Sequence, residues 1–272
     1  MREMNGIKVR KELLEEYQNR IQKENLSIKL VIIQMMEDEA SNLYIHNKEK
    51  YAAQVGIETE VILLGKDTKE KEVIERIEKL NQDQAVTGIL LQSPVPDHID
   101  FQKCTEKIAI EKDVEGLTKE NLWSLHQNQE KILPCTVKGI LKLLEYYRIP
   151  LEGKKVTIIG RSKLIGRPLM DALINRNATV SLCHSKTKDL EEYTKLADII
   201  ISAVGKPNLI TKDMVKKDFI GIDVGINKVD GKLVGDFASD VAEKASYLTP
   251  VPGGVGPMTV AMVIHNLIVR SR

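Results

Sequence analysis

The sequence predicts an α/β protein made of two α/β domains, the second having a mostly parallel sheet. Short apolar runs alternate with amphipathic stretches along both halves of the chain. This alternation is typical of βαβ units whose helices cover both faces of a parallel sheet. A length of 272 residues is enough for two domains with separate hydrophobic cores.

The first half contains three helix patterns and three strand patterns. We predict helices at residues 9–22, 41–53 and 70–80, and strands at residues 30–33, 60–64 and 89–91. Apolar residues at helical spacing, separated by charged residues, indicate each helix. A continuous apolar run, such as residues 30–33, indicates a strand that is covered on both faces. After the third strand, Pro94 and Pro96 predict a loop because proline cannot continue a ladder.

The second half repeats this alternation more regularly. We predict helices at residues 138–147, 165–175 and 190–196, and strands at residues 156–159, 179–183, 199–204 and 219–224. The apolar run 258–269 predicts a last helix that begins after Pro257. We place the first domain at residues 1–139 and the second at residues 140–256. The terminal helix at 257–272 could pack on either one.

The composition excludes several classes of protein. Hydrophobic residues make up 42% and charged residues 29% of the chain, as in a soluble globular protein. A net charge of +1 and an aromatic content of 4% do not favour nucleic-acid binding, and no apolar run approaches the roughly 18 residues of a membrane span. Cys104, Cys135 and Cys183 are widely spaced, and neither they nor the histidines show metal-ligand spacing. We expect a cytoplasmic protein with reduced thiols, no metal and no signal peptide.

A loop with glycine follows the first strand of the second domain. It begins Gly160-Arg161-Ser162. Ligands bind beyond the carboxyl ends of the strands in an open parallel sheet, and the amides of the next helix favour a phosphate. The spacing differs from the G-x-G-x-x-G fingerprint, so an ordinary strand-to-helix turn remains an alternative. The next strand ends in His184 and Ser185 instead of the acidic residue usual for NAD. With Arg161, these donors favour NADP over NAD.

The most informative segment lies near the end of the chain. It reads Pro252-Gly253-Gly254-Val255-Gly256-Pro257-Met258-Thr259-Val260. Its three glycines would let a flat ligand approach the backbone closely, although a segment of this composition can also be a simple loop. The order of its residues resembles the C-terminal signature of the methylenetetrahydrofolate dehydrogenase/cyclohydrolase family.

The resemblance extends to the cofactor side of the chain. Gly160, Arg161 and Ser162 resemble the family's pyrophosphate-side loop, and Arg161 and Ser185 fall where the family contacts the 2′-phosphate. The run 222–227 resembles the stretch near the nicotinamide, where the backbone of Ile226 would bind the cofactor. By itself, that run would be only a buried strand and its turn. The resemblance implies that NADP is the cofactor and that the protein is a homodimer.

The resemblance also assigns roles on the folate side. Tyr44 and Lys48 are four residues apart, on one face of a helix, and they match the family's Tyr-x-x-x-Lys. Gln92 matches the glutamine that follows the third strand. The resemblance implies that Lys48 transfers protons, that Tyr44 lies against the aminobenzoyl ring, and that Gln92 bonds Lys48 and helps to hold it neutral, as general acid–base catalysis requires.

The folate side also departs from the family pattern. Glu115 stands where a Lys-Asp-Val-Asp-Gly motif has the aspartate that binds the pterin, and a shift on the order of 1 Å can cost about 100-fold in rate. Ser93 replaces a leucine, Val137 replaces a proline, and residues 35–38 lack the usual glycine. The resemblance implies that Pro252, Gly253 and Gly254 bind the substrate together with Tyr44 and Glu115.

The resemblance implies a cleft between the two domains, a Rossmann-like second domain, and a terminal helix at 257–272 that packs back on the first domain. It also implies a bifunctional enzyme that acts on tetrahydrofolate derivatives. It would oxidise 5,10-methylenetetrahydrofolate with NADP and then hydrolyse the methenyl product to 10-formyltetrahydrofolate. Three alternatives remain at this point. The chain could be a monofunctional dehydrogenase in which Glu115 and Ser93 have cost the hydrolytic step, a non-catalytic NADP-binding module, or an unrelated NADP dehydrogenase of similar outline.

Overall fold

The computed structural model describes residues 1–37 and 39–271, which form two compact units. The strands are β1 (Arg2–Glu3), β2 (Lys29–Gln34), β3 (Glu58–Leu63), β4 (Gly88–Leu91), β5 (Lys155–Ile159), β6 (Thr179–Cys183), β7 (Ile199–Ser202), β8 (Phe219–Asp223), β9 (Asn227–Val229), β10 (Lys232–Val234) and β11 (Ala245–Leu248). The α-helices are α1 (Gly6–Glu24), α2 (Glu39–Gln54), α3 (Glu70–Gln82), α4 (Phe101–Thr105), α5 (Lys119–His126), α6 (Cys135–Tyr146), α7 (Gly166–Ile174), α8 (Leu190–Leu196) and α9 (Val255–Arg270).

The three-stranded unit comprises Lys11–Ser124, Glu130–Cys135 and Val260–Arg272. Its sheet has the order β3-β2-β4, and both pairings are parallel. The central strand β2 is buried along almost its whole length, as its continuous apolar run predicts. In β4, Gly88 lies so close to Val114 and Leu267 that a Cβ atom would overlap both side chains.

The six-stranded unit comprises Met1–Arg10, Leu125–Gln129 and Thr136–Thr259. Its sheet has the order β1-β11-β8-β7-β5-β6, and all its pairings are parallel. Strand β5 pairs with β6 on one side and with β7 on the other. The strand order therefore reverses at β5, which is where ligands bind in open α/β sheets. The predicted fold class, α/β with a mostly parallel sheet, is confirmed.

The sequence patterns placed the main elements within a few residues. The predicted strand at 60–64 begins at Glu58, and the predicted helix at 138–147 begins at Cys135. The sequence analysis did not predict β1, β11, the β9–β10 hairpin, α4 or α5, which are two to eight residues long and carry too few residues to show a period. The domain boundaries at 139/140 and 256/257 stay a prediction. The altered segment 35–38 lies partly outside the described residues.

The start of the last helix is a correction to the sequence analysis. We predicted that it begins after Pro257, but α9 begins at Val255. Proline is tolerated in the first turn of a helix because the amide hydrogens there have no partner within the helix. The second half of the signature segment is therefore helical. No helix of residues 1–37 or 39–271 is both long and apolar enough to cross a membrane.

Candidate functional site

Helix α2 brings a buried lysine to the end of β4. The Nζ atom of Lys48 donates a hydrogen bond of 2.9 Å to Oε1 of Gln92, and only 6% of Lys48 is exposed. The Nε2 atom of Gln92 donates to the carbonyl of Ser93 at 2.6 Å. Because this second bond fixes the amide, the oxygen of Gln92 faces the lysine. The structure therefore brings together the two residues that the sequence analysis paired.

Glu115 is the third member of this cluster. Its Oε1 atom lies 3.8 Å from Nζ of Lys48. Burial raises the pKa of the Glu115 carboxyl, although the charge of Lys48 opposes this effect. Tyr44 lies one turn before Lys48 and is half-buried, and burial also raises the pKa of its phenol. The arrangement thus combines a buried amine, an amide that orients it, and a carboxyl group whose ionised form is destabilised by burial.

Asp113, which sequence reasoning missed, holds the loop that carries Glu115. Its Oδ1 atom accepts from the amides of Glu115 and Gly116 at 3.1 and 2.8 Å. Its Oδ2 atom accepts from the amide and hydroxyl of Thr118 at 2.9 and 2.8 Å and from the side chain of Asn121 at 2.8 Å. Five donors therefore converge on one carboxylate that is 1% exposed. In the sequence, residues 112–116 resemble the family's Lys-Asp-Val-Asp-Gly motif, but that match did not indicate the bonding role of Asp113.

Helix α9 supports the same loop from the other side. The side-chain nitrogen of Asn266 donates to the carbonyl of Val114 at 2.9 Å, and the thiol of Cys135 donates to the same oxygen at 3.2 Å. Gly116 has φ +70°, and a Cβ atom there would come within 2.6 Å of the Leu133 backbone. Any other residue at this position would have an unfavourable positive φ and a Cβ atom that overlaps the backbone, so glycine is required.

The buried carboxyl of Glu115 predicts a pH-dependent stability. A carboxyl whose pKa is raised above its ordinary value of 4.5 by folding favours the folded state at low pH. That contribution is lost as the pH rises through the raised folded value. The free energy of unfolding of Glu115→Gln, measured relative to that of wild type, should therefore increase as the pH rises from about 4.5 to neutrality, because only wild type loses this contribution. Urea unfolding of both proteins across this range checks the difference, and a difference that does not change with pH would contradict the assignment.

In the six-stranded unit, two glycines shape the loop at the end of β5. Gly160 has φ +116°, and a Cβ atom there would lie 2.6 Å from the carbonyl of Ala203. A Cβ atom on Gly166 would overlap the carbonyl of Gly160. Ser162 Oγ accepts from the amides of Ile165 and Gly166 at 3.2 and 3.4 Å. The loop therefore turns tightly into the N-terminus of α7, a helix end that favours anions.

A cavity of about 430 Å³ adjoins this loop. It is lined by His126, Arg161, Arg167, Met170, Asp171, Leu182 and His184. Arg161 and Arg167 give it two permanent positive charges. The amide of Lys186 donates to Nδ1 of His184 at 3.1 Å, which leaves Nε2 as the ring's donor. Ser185 is exposed beside this histidine. Arg161, which the sequence indicated as a candidate, lines this cavity, and so does Arg167 on α7, which the sequence did not indicate; the roles of Arg161 and Ser185 stay a prediction.

The signature segment is close to the start of α1. The amides of Gly6 and Ile7 donate to the carbonyl of Gly253 at 2.9 and 3.2 Å. Gly253 has φ +110°, and a Cβ atom on Gly6 would overlap the carbonyl of Gly254. The small size of these glycines therefore lets two backbone segments of the protein approach each other closely. A role of Pro252, Gly253 and Gly254 in substrate binding stays a prediction.

Comparison with known proteins decides the family. Residues 4–115 match the tetrahydrofolate dehydrogenase/cyclohydrolase catalytic domain, and residues 134–272 match the tetrahydrofolate dehydrogenase/cyclohydrolase NAD(P)-binding domain. The chain belongs to the tetrahydrofolate dehydrogenase/cyclohydrolase family. Lys48, Gln92 and Glu115 all lie within the match to the catalytic domain, and the loop at Gly160 lies within the match to the NAD(P)-binding domain.

Relatives in this family are similar over nearly their whole length. The bifunctional protein FolD of Exiguobacterium sibiricum is 47% identical over 260 residues, which are 95% of this chain and 94% of that protein. The crystal structure of the bifunctional enzyme FolD from Campylobacter jejuni has a TM-score of 0.96 at 42% identity, covering 98% of this chain and 97% of its own. The FolD of Trypanosoma brucei, complexed with NADP and an inhibitor, has a TM-score of 0.93 at 32% identity and coverage of 98% and 96%.

Proposed function

We propose that this family member oxidises 5,10-methylenetetrahydrofolate to 5,10-methenyltetrahydrofolate with NADP, and then hydrolyses the product to 10-formyltetrahydrofolate. The single observation that carries the proposal is the buried contact between Lys48 and Gln92, 2.9 Å long, with Glu115 beside it. A buried amine with a fixed orienting partner suits proton transfer. Family membership and the FolD relatives support both steps.

The six-stranded unit supplies the groups for NADP. The tight turn at Gly160 suits the pyrophosphate at the start of α7. The cavity with Arg161 and Arg167 fits the two negative charges of a 2′-phosphate, and Ser185 offers a hydroxyl next to it. The backbone of Ile226, at the carboxyl end of β8, would contact the nicotinamide. NADP, when bound, accepts a hydride from the one-carbon unit, and the protein's part in this step is alignment.

The three-stranded unit supplies the groups for folate and for hydrolysis. Tyr44 would lie against the aminobenzoyl ring, and Glu115 would hold the pterin. In the hydrolytic step, water adds its oxygen to the methenyl carbon and releases one proton to solvent. The bond from that carbon to one ring nitrogen then breaks as the C=O bond of the formyl group forms. Lys48 would move the remaining proton of that oxygen to the nitrogen that leaves, while Gln92 keeps the amine in place.

An absorbance assay tests this function. Methenyltetrahydrofolate absorbs in the near ultraviolet, so its formation from methylenetetrahydrofolate can be followed with NADP or NAD. We expect turnover with NADP and no lasting accumulation of the methenyl compound, because the cyclohydrolase removes it. Accumulation would indicate the monofunctional alternative, and no turnover with either cofactor would indicate a non-catalytic module. Equal turnover with NAD would contradict the choice of NADP.

Arg161→Ala is the variant for the cofactor arm of this assay. Losing one charged hydrogen bond to a phosphate should raise the Kd for NADP roughly 10- to 100-fold, while the Kd for NAD stays unchanged. Lys188→Ala, an exposed cation near the end of β6 that does not line the cavity, is the matched control. An equal loss for both cofactors would place Arg161 away from the 2′-phosphate.

We also propose that the protein acts in the cytoplasm as a homodimer that binds neither nucleic acid nor membranes. The net charge of +1 and the low aromatic content support the last two points. The three cysteines are free thiols, which suits a reducing compartment. Light scattering of the purified chain tests the dimer, and a monomer at micromolar concentration would contradict it.

A further inference from the structure

Two buried carboxylates lie near the carboxyl ends of β7 and β8 in the six-stranded unit. Asp223 is the last residue of β8, and Asp236 follows β10. They are 4% and 0% exposed. Neither has a role in the reaction proposed above. Burying a carboxylate is costly unless hydrogen-bond donors surround it. Both of these carboxylates have such donors, which come from the loops that follow β7 and β8.

Asp236 holds the loop that follows β7. Its Oδ2 atom accepts from the hydroxyl of Ser202 at 2.7 Å and from the amides of Val204 and Gly205 at 2.9 and 3.3 Å. Its Oδ1 atom accepts from the amide of Lys206 at 2.8 Å. Three successive backbone amides thus point at one carboxylate, which fixes the path of residues 204–206.

Asp223 holds the loop that follows β8 and connects it to Asp236. Its Oδ1 atom accepts from the amides of Gly225 and Asp236, both at 3.0 Å. Its Oδ2 atom accepts from the amide of Phe237 at 3.0 Å. Burial raises the pKa of Asp223 to about 6, and the charge of Asp236 adds to this effect. At neutral pH, Asp223 is therefore ionised and suited to accept from all three amides.

The two carboxylates accept hydrogen bonds from the residues on either side of Ile226. Gly225 donates its amide to Asp223, and the side-chain nitrogen of Asn227 donates to Asp236 at 3.4 Å. A Cβ atom on Gly225 would overlap the carboxylate of Asp236. The glycine of the Asp-Val-Gly-Ile run is thus needed for contact with this carboxylate, which the sequence alone could not indicate.

We propose that Asp223 and Asp236 are positioning residues for NADP. They hold the loops 203–206 and 224–227 at the carboxyl ends of β7 and β8, where ligands bind in an open parallel sheet. The backbone of Ile226 is thereby set in place before the cofactor arrives, so that little ordering remains to be done on binding. The inference rests on the proposed function, because it assumes that the ligand of these loops is NADP.

The test compares NADP affinity with hydrolysis. In Asp236→Asn and Asp223→Asn, an amide –NH₂ group replaces one acceptor and faces backbone amides. Each variant should raise the Kd for NADP about tenfold or more in calorimetric titration. Hydrolysis of added methenyltetrahydrofolate without NADP should stay within about twofold of wild type, because Lys48 and Gln92 belong to the other unit. Ser202→Ala removes one donor to Asp236 and is a milder variant, expected to raise the Kd about fivefold.

Asp198→Asn is the matched control. Asp198 accepts from the amide of Lys155 at 2.9 Å and from Nζ of Lys216 at 2.6 Å, at the amino end of the same sheet. It should lower the thermal midpoint and leave the Kd for NADP unchanged. An equal rise of the Kd in Asp198→Asn, or unchanged NADP binding in all three variants at the network, would overturn the inference. Wild-type protein that neither binds NADP nor turns over folate would instead overturn the proposed function.

Discussion

Lys48→Met should lower the rate of methenyltetrahydrofolate hydrolysis roughly 100- to 10,000-fold, which is the range that a positioned proton-transfer group contributes. The methionine side chain has a similar length and fills the buried site without the amine. The oxygen of Gln92 then loses its lysine partner, and the carboxyl of Glu115 loses the ammonium group 3.8 Å away. The loss of methenyl absorbance after addition of that compound measures the rate directly.

The cofactor side should not respond to this change. We expect the Kd for NADP in Lys48→Met to stay within about twofold of wild type, because Lys48 is outside the six-stranded unit. Lys50→Met, an exposed lysine on the same helix, controls for loss of charge and should hydrolyse the substrate normally. Unchanged hydrolysis in Lys48→Met would remove this lysine from the mechanism.

Of the substitutions considered, Asp113→Ala should cause the largest decrease in the free energy of unfolding. The change leaves the five donors that converge on Asp113 without their acceptor in a buried site. Unpaired buried donors of this kind cost about 3–5 kcal/mol together, even after some relaxation of the loop. The midpoint and slope of urea unfolding give the free energy. Hydrolysis should also fall, since the loop that holds Glu115 near Lys48 is released.

Asp83→Ala is the comparison for this stability effect. Asp83 is exposed, and among the described residues its carboxylate accepts one hydrogen bond, from the amide of Ala85. Water can replace that bond, so the loss of unfolding free energy should be much smaller. Similar losses in the two variants would contradict the view that Asp113 organises the loop.

Much of the fold was predictable because local patterns carry it. The buried strand β2 shows a continuous apolar run, and α3 shows charged residues between apolar ones at helical spacing. Turn glycines such as Gly160 mark the end of a strand. Elements whose stability comes from pairing alone were not predicted. Strand β1 has only two residues, and it exists because it pairs with β11, more than 240 residues away in sequence.

The candidate site was predictable where short motifs resemble those of the family. The interval of four residues places Tyr44 and Lys48 on one face of α2, but only the match to Tyr-x-x-x-Lys indicated a role for them. Gln92, which directly follows the last residue of β4, was indicated in the same way. Residues that hydrogen-bond to segments distant in the sequence gave no such signal. Asn266 and Asp236 look like ordinary polar residues in the sequence, yet both are fully buried and hold backbone groups of distant segments.

The sequence by itself determined the alternation of elements and the choice of a parallel α/β fold, because both depend on local periodicity. Short motifs that resemble those of the family, which are also local in the sequence, indicated the lysine, glutamine and arginine to which we assign the proposed chemistry. Only the tertiary structure decided that Glu115 lies 3.8 Å from Lys48 and that Asp113, Asp223 and Asp236 are acceptors for backbone amides. The reason is physical: a buried carboxylate needs converging donors, and donors from separate segments converge only when the chain is folded.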